Sequence, residues 1–144
     1  TPISRMQHLM TTDTQQSQAH VSNSLTLPAE LAGRVHSIDT CSTVDGPGIR
    51  TTVFMQGCLL RCQYCHNPDT WPLGTGQTYT VAELMHIIQR QKPYFSGSGG
   101  GVTASGGEPL LQSRFLAALF KACQRSGIHT TLDTNGYWQD QPAV

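Results

Sequence analysis

Three cysteines and a histidine lie close together in the stretch "CLLRCQYCHNP", which runs from Cys58 to Pro68. Thiolate and imidazole groups are ligands for transition metals, and three kinds of centre fit these residue types. A covalently attached haem would use Cys62, Cys65 and His66 as a C-x-x-C-H motif. A zinc ion would use all three cysteines and the histidine, and an iron–sulfur cluster would use the cysteines alone. The stretch therefore predicts a metal centre.

The spacing of these residues favours the cluster. Haem attachment leaves Cys58 without a role, and zinc sites usually pair two knuckles that are a dozen or more residues apart. A [4Fe–4S] cluster held by three thiolates keeps its fourth iron without a protein ligand, which is the open position that a catalytic metal needs. We therefore predict Cys58, Cys62 and Cys65 as ligands of a [4Fe–4S] cluster, with zinc and haem as the alternatives.

The cysteine count, the charge balance and the lengths of the apolar stretches indicate the cellular compartment and the classes of partner. The chain has five cysteines, an odd number with tight clustering and no recognisable secretory signal, which predicts a reducing, cytoplasmic compartment. Of the two other cysteines, Cys123 has the spacing of a helix core and Cys41 is expected to be a loop thiol. Lys plus Arg equals Asp plus Glu, no basic run occurs, and no apolar stretch could span a membrane, so neither nucleic acid nor membrane is expected as a partner.

Strands and helices alternate along the chain, and they must position the cysteines. A β-branched and aromatic run predicts a strand over 51–57 that delivers Cys58. Thr80 and Glu83 form a capping box that predicts a helix over 81–91, which Pro93 ends. The other predicted elements are a short strand in 33–38, a strand over 102–105, a flexible connection over 96–101, a helix around 115–123 and a strand that ends at Asp133.

This alternation predicts an α/β fold with parallel strands and right-handed crossovers, either a doubly wound sheet or part of a βα barrel. In both architectures ligands gather at the carboxyl ends of the strands. Three loops follow predicted strands, over 58–67, 105–109 and 133–136. The sequence therefore predicts that these loops meet at one edge of the sheet.

The C-x-x-x-C-x-aromatic-C spacing, with Tyr64 as the aromatic residue, resembles the signature of the radical S-adenosylmethionine enzymes. More specifically, residues 33–137 resemble the activating enzymes of glycyl-radical enzymes. The similarity lies in "GRVHSIDTCSTVDGPGIRTTVFMQGCLLRCQYCHNPDTW", "GGGVTASGGEPLLQ" and "GIHTTLDTNGY". No cysteine lies between Cys65 and Cys123, so the chain resembles the compact subtype, which has no inserted ferredoxin-like segment.

This resemblance implies an architecture. Residues 33–144 would be the N-terminal part of a partial (βα)6 radical-SAM barrel, a core domain shortened on its C-terminal side. Residues 1–32 are polar and without periodicity, which predicts a disordered N-terminal extension.

The resemblance also implies roles for individual residues. Besides the three cluster ligands, it implies an S-adenosyl-L-methionine site formed by Tyr64, Cys65, His66, Gly106, Gly107, Glu108, Asp133 and Thr134. Glu108 and the glycines would hold the methionine part, and Asp133 with Thr134 would bind a monovalent cation beside it. The opening for the partner's glycine loop would be lined by Asp45, Gly46, Pro47, Gly48 and Arg50.

The activity implied is reductive cleavage of S-adenosylmethionine to a 5′-deoxyadenosyl radical. This radical would abstract hydrogen from a backbone glycine of pyruvate formate-lyase or a related glycyl-radical enzyme, with an electron donor such as flavodoxin. Two alternatives remain. One is another small radical enzyme, such as a 7-carboxy-7-deazaguanine synthase, and the other is a non-catalytic metal-binding module.

Overall fold

The computed structural model describes residues 28–137. Most of the predicted disordered extension, together with residues 138–144, lies outside the described residues. The last residues of the extension are ordered, because the carbonyl oxygens of Ala29 and Leu31 accept the N–H groups of Ala82 and Val81 at 3.1 and 3.0 Å.

A five-stranded mixed sheet with helices packed against it forms the fold. The strands are β1 (Ala32–Ser42), β2 (Arg50–Met55), β3 (Gln77–Thr80), β4 (Gly101–Gly106) and β5 (His129–Leu132), in the order β3-β1-β2-β4-β5. The helices are α1 (Val81–Arg90), α2 (Lys92–Ser98) and α3 (Ser113–Arg125), with 3₁₀ turns at Pro68–Thr70 and Pro109–Gln112. None of the helices in the described part of the chain is long and apolar enough to cross a membrane.

Strands β2, β4 and β5 are parallel, as the alternation predicts. The prediction of parallel strands is wrong for β1, which is antiparallel to both β2 and β3. The connection between β1 and β2 covers only residues 43–49, which is too short for a parallel crossover. The edge strand β3 was not predicted, since its four residues carry no alternation of apolar and polar side chains.

The apolar core lies between one face of the sheet and helices α1 and α3. Val53 and Val102 are fully buried on the sheet, and Leu84 and Leu119 are fully buried on the two helices. Each such side chain stabilises the fold by about 1.5–3 kcal/mol relative to an exposed position. Cys123 belongs to this core as predicted, and its burial raises the pKa of the thiol to about 12.

The opposite face of the sheet is polar. Because side chains alternate along a strand, Arg50, Thr52 and Thr103 share this face, and all three are fully buried. The connection between β1 and β2 covers them, since the backbone oxygens of Asp45 and Pro47 accept hydrogen bonds from Thr103 and Arg50. One end of the polar face is therefore closed by this connection.

Helix α1 begins with the predicted capping box. The Glu83 N–H donates to Thr80 Oγ1 at 3.2 Å, and Glu83 Oε2 accepts the Thr80 N–H at 2.7 Å. Pro93 ends α1 as predicted, but it also lies in the first turn of α2, where proline needs no N–H partner. The flexible connection predicted over 96–101 is therefore wrong, because the ends of α2 and β4 occupy most of it.

We expect Thr80→Ala to lower the free energy of unfolding by about 1 kcal/mol, because one N–H of the first turn loses its acceptor.

The hydrogen bonds from Thr80 lower the pKa of the Glu83 carboxyl below its ordinary value of 4.5. A lowered pKa stabilises the fold above that ordinary value, and the stabilisation is lost as the pH falls through the folded-state pKa. Denaturant unfolding at neutral and acidic pH measures both effects. Glu83→Gln is the control, and a Glu83→Gln chain that lost as much stability on acidification as the unchanged chain would contradict the assignment.

Candidate metal centre

The three loops predicted to meet do so at the carboxyl ends of the parallel strands. Ser105 Oγ donates to Asp133 Oδ2 at 2.7 Å, which joins the loops that follow β4 and β5. The Glu108 N–H donates to the carbonyl oxygen of Gly57 at 2.8 Å, which joins the loop after β4 to the end of β2. The predicted convergence is therefore confirmed by the hydrogen bonds.

The cysteine loop begins and ends at the same place. The Gly57 N–H donates to the carbonyl oxygen of Thr70 at 2.7 Å, and the Cys58 N–H donates to that of Trp71 at 3.2 Å. Thr70 is buried, and its hydroxyl donates to the carbonyl oxygen of Asn67 at 2.6 Å. Both ends of the loop are thus attached to the end of β2.

All three cysteines of this loop are free thiols. Cys58 is buried, while Cys62 and Cys65 are half-buried, and the Cys65 N–H donates to the carbonyl oxygen of Cys62 at 3.1 Å. The donor set therefore fits an iron–sulfur cluster in the type and number of its ligands. Within residues 28–137 the structure gathers no three His, Cys, Asp or Glu side chains in the arrangement of a metal site. The assignment of the ligands thus depends on their spacing, chemistry and common loop.

One side chain from outside this loop, Asn135, and one from within it, Arg61, hydrogen-bond to Cys58. Asn135 Nδ2 lies 3.6 Å from Cys58 Sγ, and Arg61 Nη1 donates to the carbonyl oxygen of Cys58 at 2.7 Å. The Arg61 guanidinium also stacks over the Trp71 ring, 5.0 Å from its centroid. Asn135 is not predicted as a site residue, because an Asn-Gly pair ordinarily indicates only a tight turn.

Glu108 is the most enclosed acidic group of the site, with 1% of its surface exposed. Its Oε1 accepts the Leu110 N–H at 2.9 Å and the Thr134 hydroxyl at 2.7 Å, and its Oε2 accepts the Asn135 N–H at 2.9 Å. A carboxylate has about four lone-pair positions, so three hydrogen bonds leave about one for another donor. Glu108 thus joins the loops after β4 and β5 and keeps limited capacity for a ligand.

The two glycines before Glu108 let the backbone of this loop pass close to the end of β2. Gly106 has a φ of +97°, and a Cβ on Gly107 would lie 2.2 Å from the carbonyl oxygen of Gly57. The Gly107 N–H also donates to the carbonyl oxygen of Met55 at 2.9 Å. The glycines let this loop approach the end of β2, whether or not a ligand is bound.

The side chains of Tyr64 and His66 form no polar contact with the loops after β4 and β5. Tyr64 is 84% exposed, and His66 is exposed as well. Neither side chain makes a hydrogen bond or ion pair with another described residue. Asp133 accepts the Ser105 hydrogen bond at Oδ2, and its Oδ1 accepts no hydrogen bond within residues 28–137.

The loop predicted to line the substrate opening lies elsewhere. Arg50 begins β2 and Cys58 follows its end, so the two are separated by the strand, about 20 Å for six residues. The Arg50 guanidinium is buried and donates to Thr103 Oγ1 at 2.6 Å and to the carbonyl oxygen of Val102 at 2.8 Å. Burial lowers the pKa of Arg50, and the charge of Asp45 partly offsets this. The Arg50 guanidinium is thus held within the sheet by hydrogen bonds, while Gly46 and Pro47 are exposed.

Among known protein families, the model of the 4Fe-4S single cluster domain matches residues 44–142. The chain is 60% identical over 105 residues to a pyruvate formate-lyase-activating enzyme of Clostridium pasteurianum, covering 73% of this chain and 44% of that protein. It is 55% identical over 105 residues to the pyruvate formate-lyase 1-activating enzyme of Escherichia coli K12, covering 73% of this chain and 43% of that one. The chain thus spans less than half the length of these curated relatives.

A solved structure shares the fold. The crystal structure of QueE from Escherichia coli superposes with a TM-score of 0.57 over 81% of this chain and 58% of that one, at 19% sequence identity. At this identity the likeness is one of architecture.

Proposed function

Because the chain belongs to the family of 4Fe-4S single cluster domains, we propose that it forms the cluster-binding part of an activating enzyme for pyruvate formate-lyase or a related glycyl-radical enzyme. The observation that carries the proposal is the 55–60% identity to activating enzymes over about 105 residues. Since the chain covers less than half of those relatives, the activity is proposed for the whole protein that they represent.

Cys58, Cys62 and Cys65 would hold the cluster. When bound, the [4Fe–4S] cluster would supply the electron that cleaves S-adenosylmethionine and yields the 5′-deoxyadenosyl radical. The buried end of β2 holds the first of these thiols, and the attached ends of the loop restrict the space that the other two can sample. The loop would thereby exclude water from a radical that takes hydrogen from almost any nearby C–H group.

The loops after β4 and β5 would hold the methionine part of the cofactor. Glu108 has about one acceptor position left for the ammonium group, and Gly106 and Gly107 bring the backbone alongside. Asp133 Oδ1 and the Thr134 backbone would bind a monovalent cation beside the cofactor carboxylate. Tyr64 and His66, together with the Cys65 backbone, would cover the adenosyl part, and their exposure leaves them free to do so.

The partner protein would bring its own glycine loop to the site. The residues predicted for this opening, Asp45, Gly46, Pro47 and Gly48, lie at the other end of β2 from Cys58, so they would contact the partner away from the cluster. The guanidinium of Arg50 is occupied by the sheet and would not take part. A half-buried Asp45 keeps Oδ1 without a hydrogen bond from the described residues, which would suit a backbone N–H of the partner. An electron donor such as flavodoxin would reduce the cluster, in the cytoplasm.

The test is anaerobic incubation of the reconstituted, dithionite-reduced protein with S-adenosylmethionine and pyruvate formate-lyase. The proposal predicts a glycyl radical signal in electron paramagnetic resonance and an equal amount of 5′-deoxyadenosine, both lost in the Cys62→Ser control. Release of 5′-deoxyadenosine without any glycyl radical would favour an enzyme that acts on a metabolite. A protein that binds zinc in place of iron would favour a non-catalytic metal-binding module.

A further inference from the structure

Two hydrogen bonds fix the orientation of Asn135. Its N–H donates to Glu108 Oε2 at 2.9 Å, and its side-chain Oδ1 accepts the Tyr137 N–H at 2.8 Å. Because Oδ1 is held by a backbone donor, the amide nitrogen must lie on the opposite side of the group. The Asn135 NH₂ group is therefore directed by the fold, although the residue is exposed.

The NH₂ group of Asn135 is directed at a sulfur. Its Nδ2 lies 3.6 Å from Cys58 Sγ, which is a hydrogen-bond distance for a sulfur acceptor. Cys58 is 6% exposed, so water has little access to compete for this contact. Among the described residues, neither Cys62 Sγ nor Cys65 Sγ accepts a hydrogen bond. The three sulfurs predicted to bind the cluster are therefore unequal, and Asn135 is what distinguishes Cys58.

We propose that Asn135 is a positioning residue that donates a hydrogen bond to the Cys58 thiolate and makes the reduction potential of the cluster less negative. The inference rests on the cluster of the proposed function. Hydrogen bonds to the sulfurs are one of the terms that set the potentials of iron–sulfur clusters. Reduction adds one negative charge, part of which falls on the thiolates, so an N–H donor stabilises the reduced form more than the oxidised form.

The test is a potentiometric titration of the reconstituted chain, with dithionite as reductant, mediators present and S-adenosylmethionine absent. The reduced cluster is followed by electron paramagnetic resonance, and iron and sulfide content is measured for every variant. Asn135→Ala removes the donor. Asn135→Asp has the same shape and keeps an acceptor for the Tyr137 N–H, but it places a carboxylate oxygen at the sulfur. The matched control is Asn67→Asp, at the far end of the same loop, where the side chain forms no capping hydrogen bond.

We expect both Asn135 variants to bind iron as the unchanged chain does and to be harder to reduce. At a fixed potential, the ratio of reduced to oxidised cluster should fall about threefold to tenfold in Asn135→Ala, which corresponds to about 30 to 59 mV for a one-electron couple. The fall should be larger in Asn135→Asp and much smaller in Asn67→Asp.

Unchanged potentials in both Asn135 variants would overturn the inference and leave the proposed function standing. Failure of both variants to bind a cluster, with Asn67→Asp normal, would also overturn it, because Asn135 would then serve only to build the loop. If the unchanged chain gave no reduced-cluster signal, the proposed function would fail and this inference with it.

Discussion

Cys58→Ser is expected to reduce the iron and acid-labile sulfide bound after anaerobic reconstitution to less than about a tenth of the unchanged value. Soft thiolates are the ligands that iron–sulfur clusters use, and a serine hydroxyl is a poor substitute. With only three protein ligands proposed, the loss of one leaves two. Of the three, Cys58 is also the most buried and the one at the end of β2, so its replacement removes the best-positioned ligand.

The matched control for this substitution is Cys41→Ser, which changes the same atoms at an exposed thiol outside the loop. It should bind iron and sulfide as the unchanged chain does. Cys123 is a poor control, because its thiol is part of the core. Full iron binding by Cys58→Ser, or equal loss in Cys41→Ser, would contradict the assignment of the ligands.

Glu108→Ala is expected to lower the free energy of unfolding by about 2–4 kcal/mol, because it leaves two N–H groups and one hydroxyl without their acceptor and opens a small cavity. The same change removes two of the hydrogen bonds that join the loops after β4 and β5, along with the acceptor proposed for the cofactor's ammonium group, so binding of S-adenosylmethionine should be lost as well. Urea unfolding at neutral pH measures the first effect. Equilibrium dialysis of the reconstituted protein against labelled cofactor measures the second.

Two further variants separate these effects. Glu30→Ala removes an exposed carboxylate. It should change neither the free energy of unfolding nor that of S-adenosylmethionine binding by more than about 0.5 kcal/mol. Glu108→Gln keeps the shape but directs an NH₂ group at one of the present donors, so its loss of stability should be intermediate. A Glu108→Ala chain as stable as the unchanged chain would contradict the view that this carboxylate joins the two loops.

The parts of the fold that sequence predicts well are those fixed by local patterns. The capping box at Thr80 and Glu83 places the start of α1, and the β-branched run after Arg50 places β2. Strand ends place the three loops, because in parallel strands their carboxyl ends share an edge. The resemblance to activating enzymes, which depends on the same stretches, is confirmed by relatives with 55–60% identity.

The parts that sequence predicts poorly depend on contacts between distant residues. The glycine run after Ser96 has the composition of a flexible connection, yet a Cβ on Gly100 would lie 1.8 Å from the carbonyl oxygen of Ile49. Ser98 Oγ also accepts the Ile49 N–H at 2.8 Å. Gly100 is therefore needed for close packing, which composition alone does not reveal.

Side chains whose partners lie far away in the chain are equally hard to predict. Spacing predicts the cysteines as ligands, but Asn135 in the site and Gln112 outside it form hydrogen bonds with distant residues. Gln112 Oε1 accepts the Arg34 N–H at 2.7 Å, and its Nε2 donates to the carbonyl oxygen of Gln56 at 3.1 Å. Nothing in the local sequence distinguishes this glutamine from a surface residue. The motif around Arg50 predicts a substrate opening, and only the structure shows that its guanidinium is hydrogen-bonded within the sheet.

If three loops of this chain form a cluster site that is open to S-adenosylmethionine, the cofactor must alter the electronic environment of the cluster. Electron paramagnetic resonance of the anaerobically reconstituted, dithionite-reduced chain, recorded with and without S-adenosylmethionine, detects this change. We expect a reduced [4Fe–4S] signal whose shape changes when the cofactor is added. A signal that is identical with and without the cofactor, or bound zinc with no cluster signal, would contradict it.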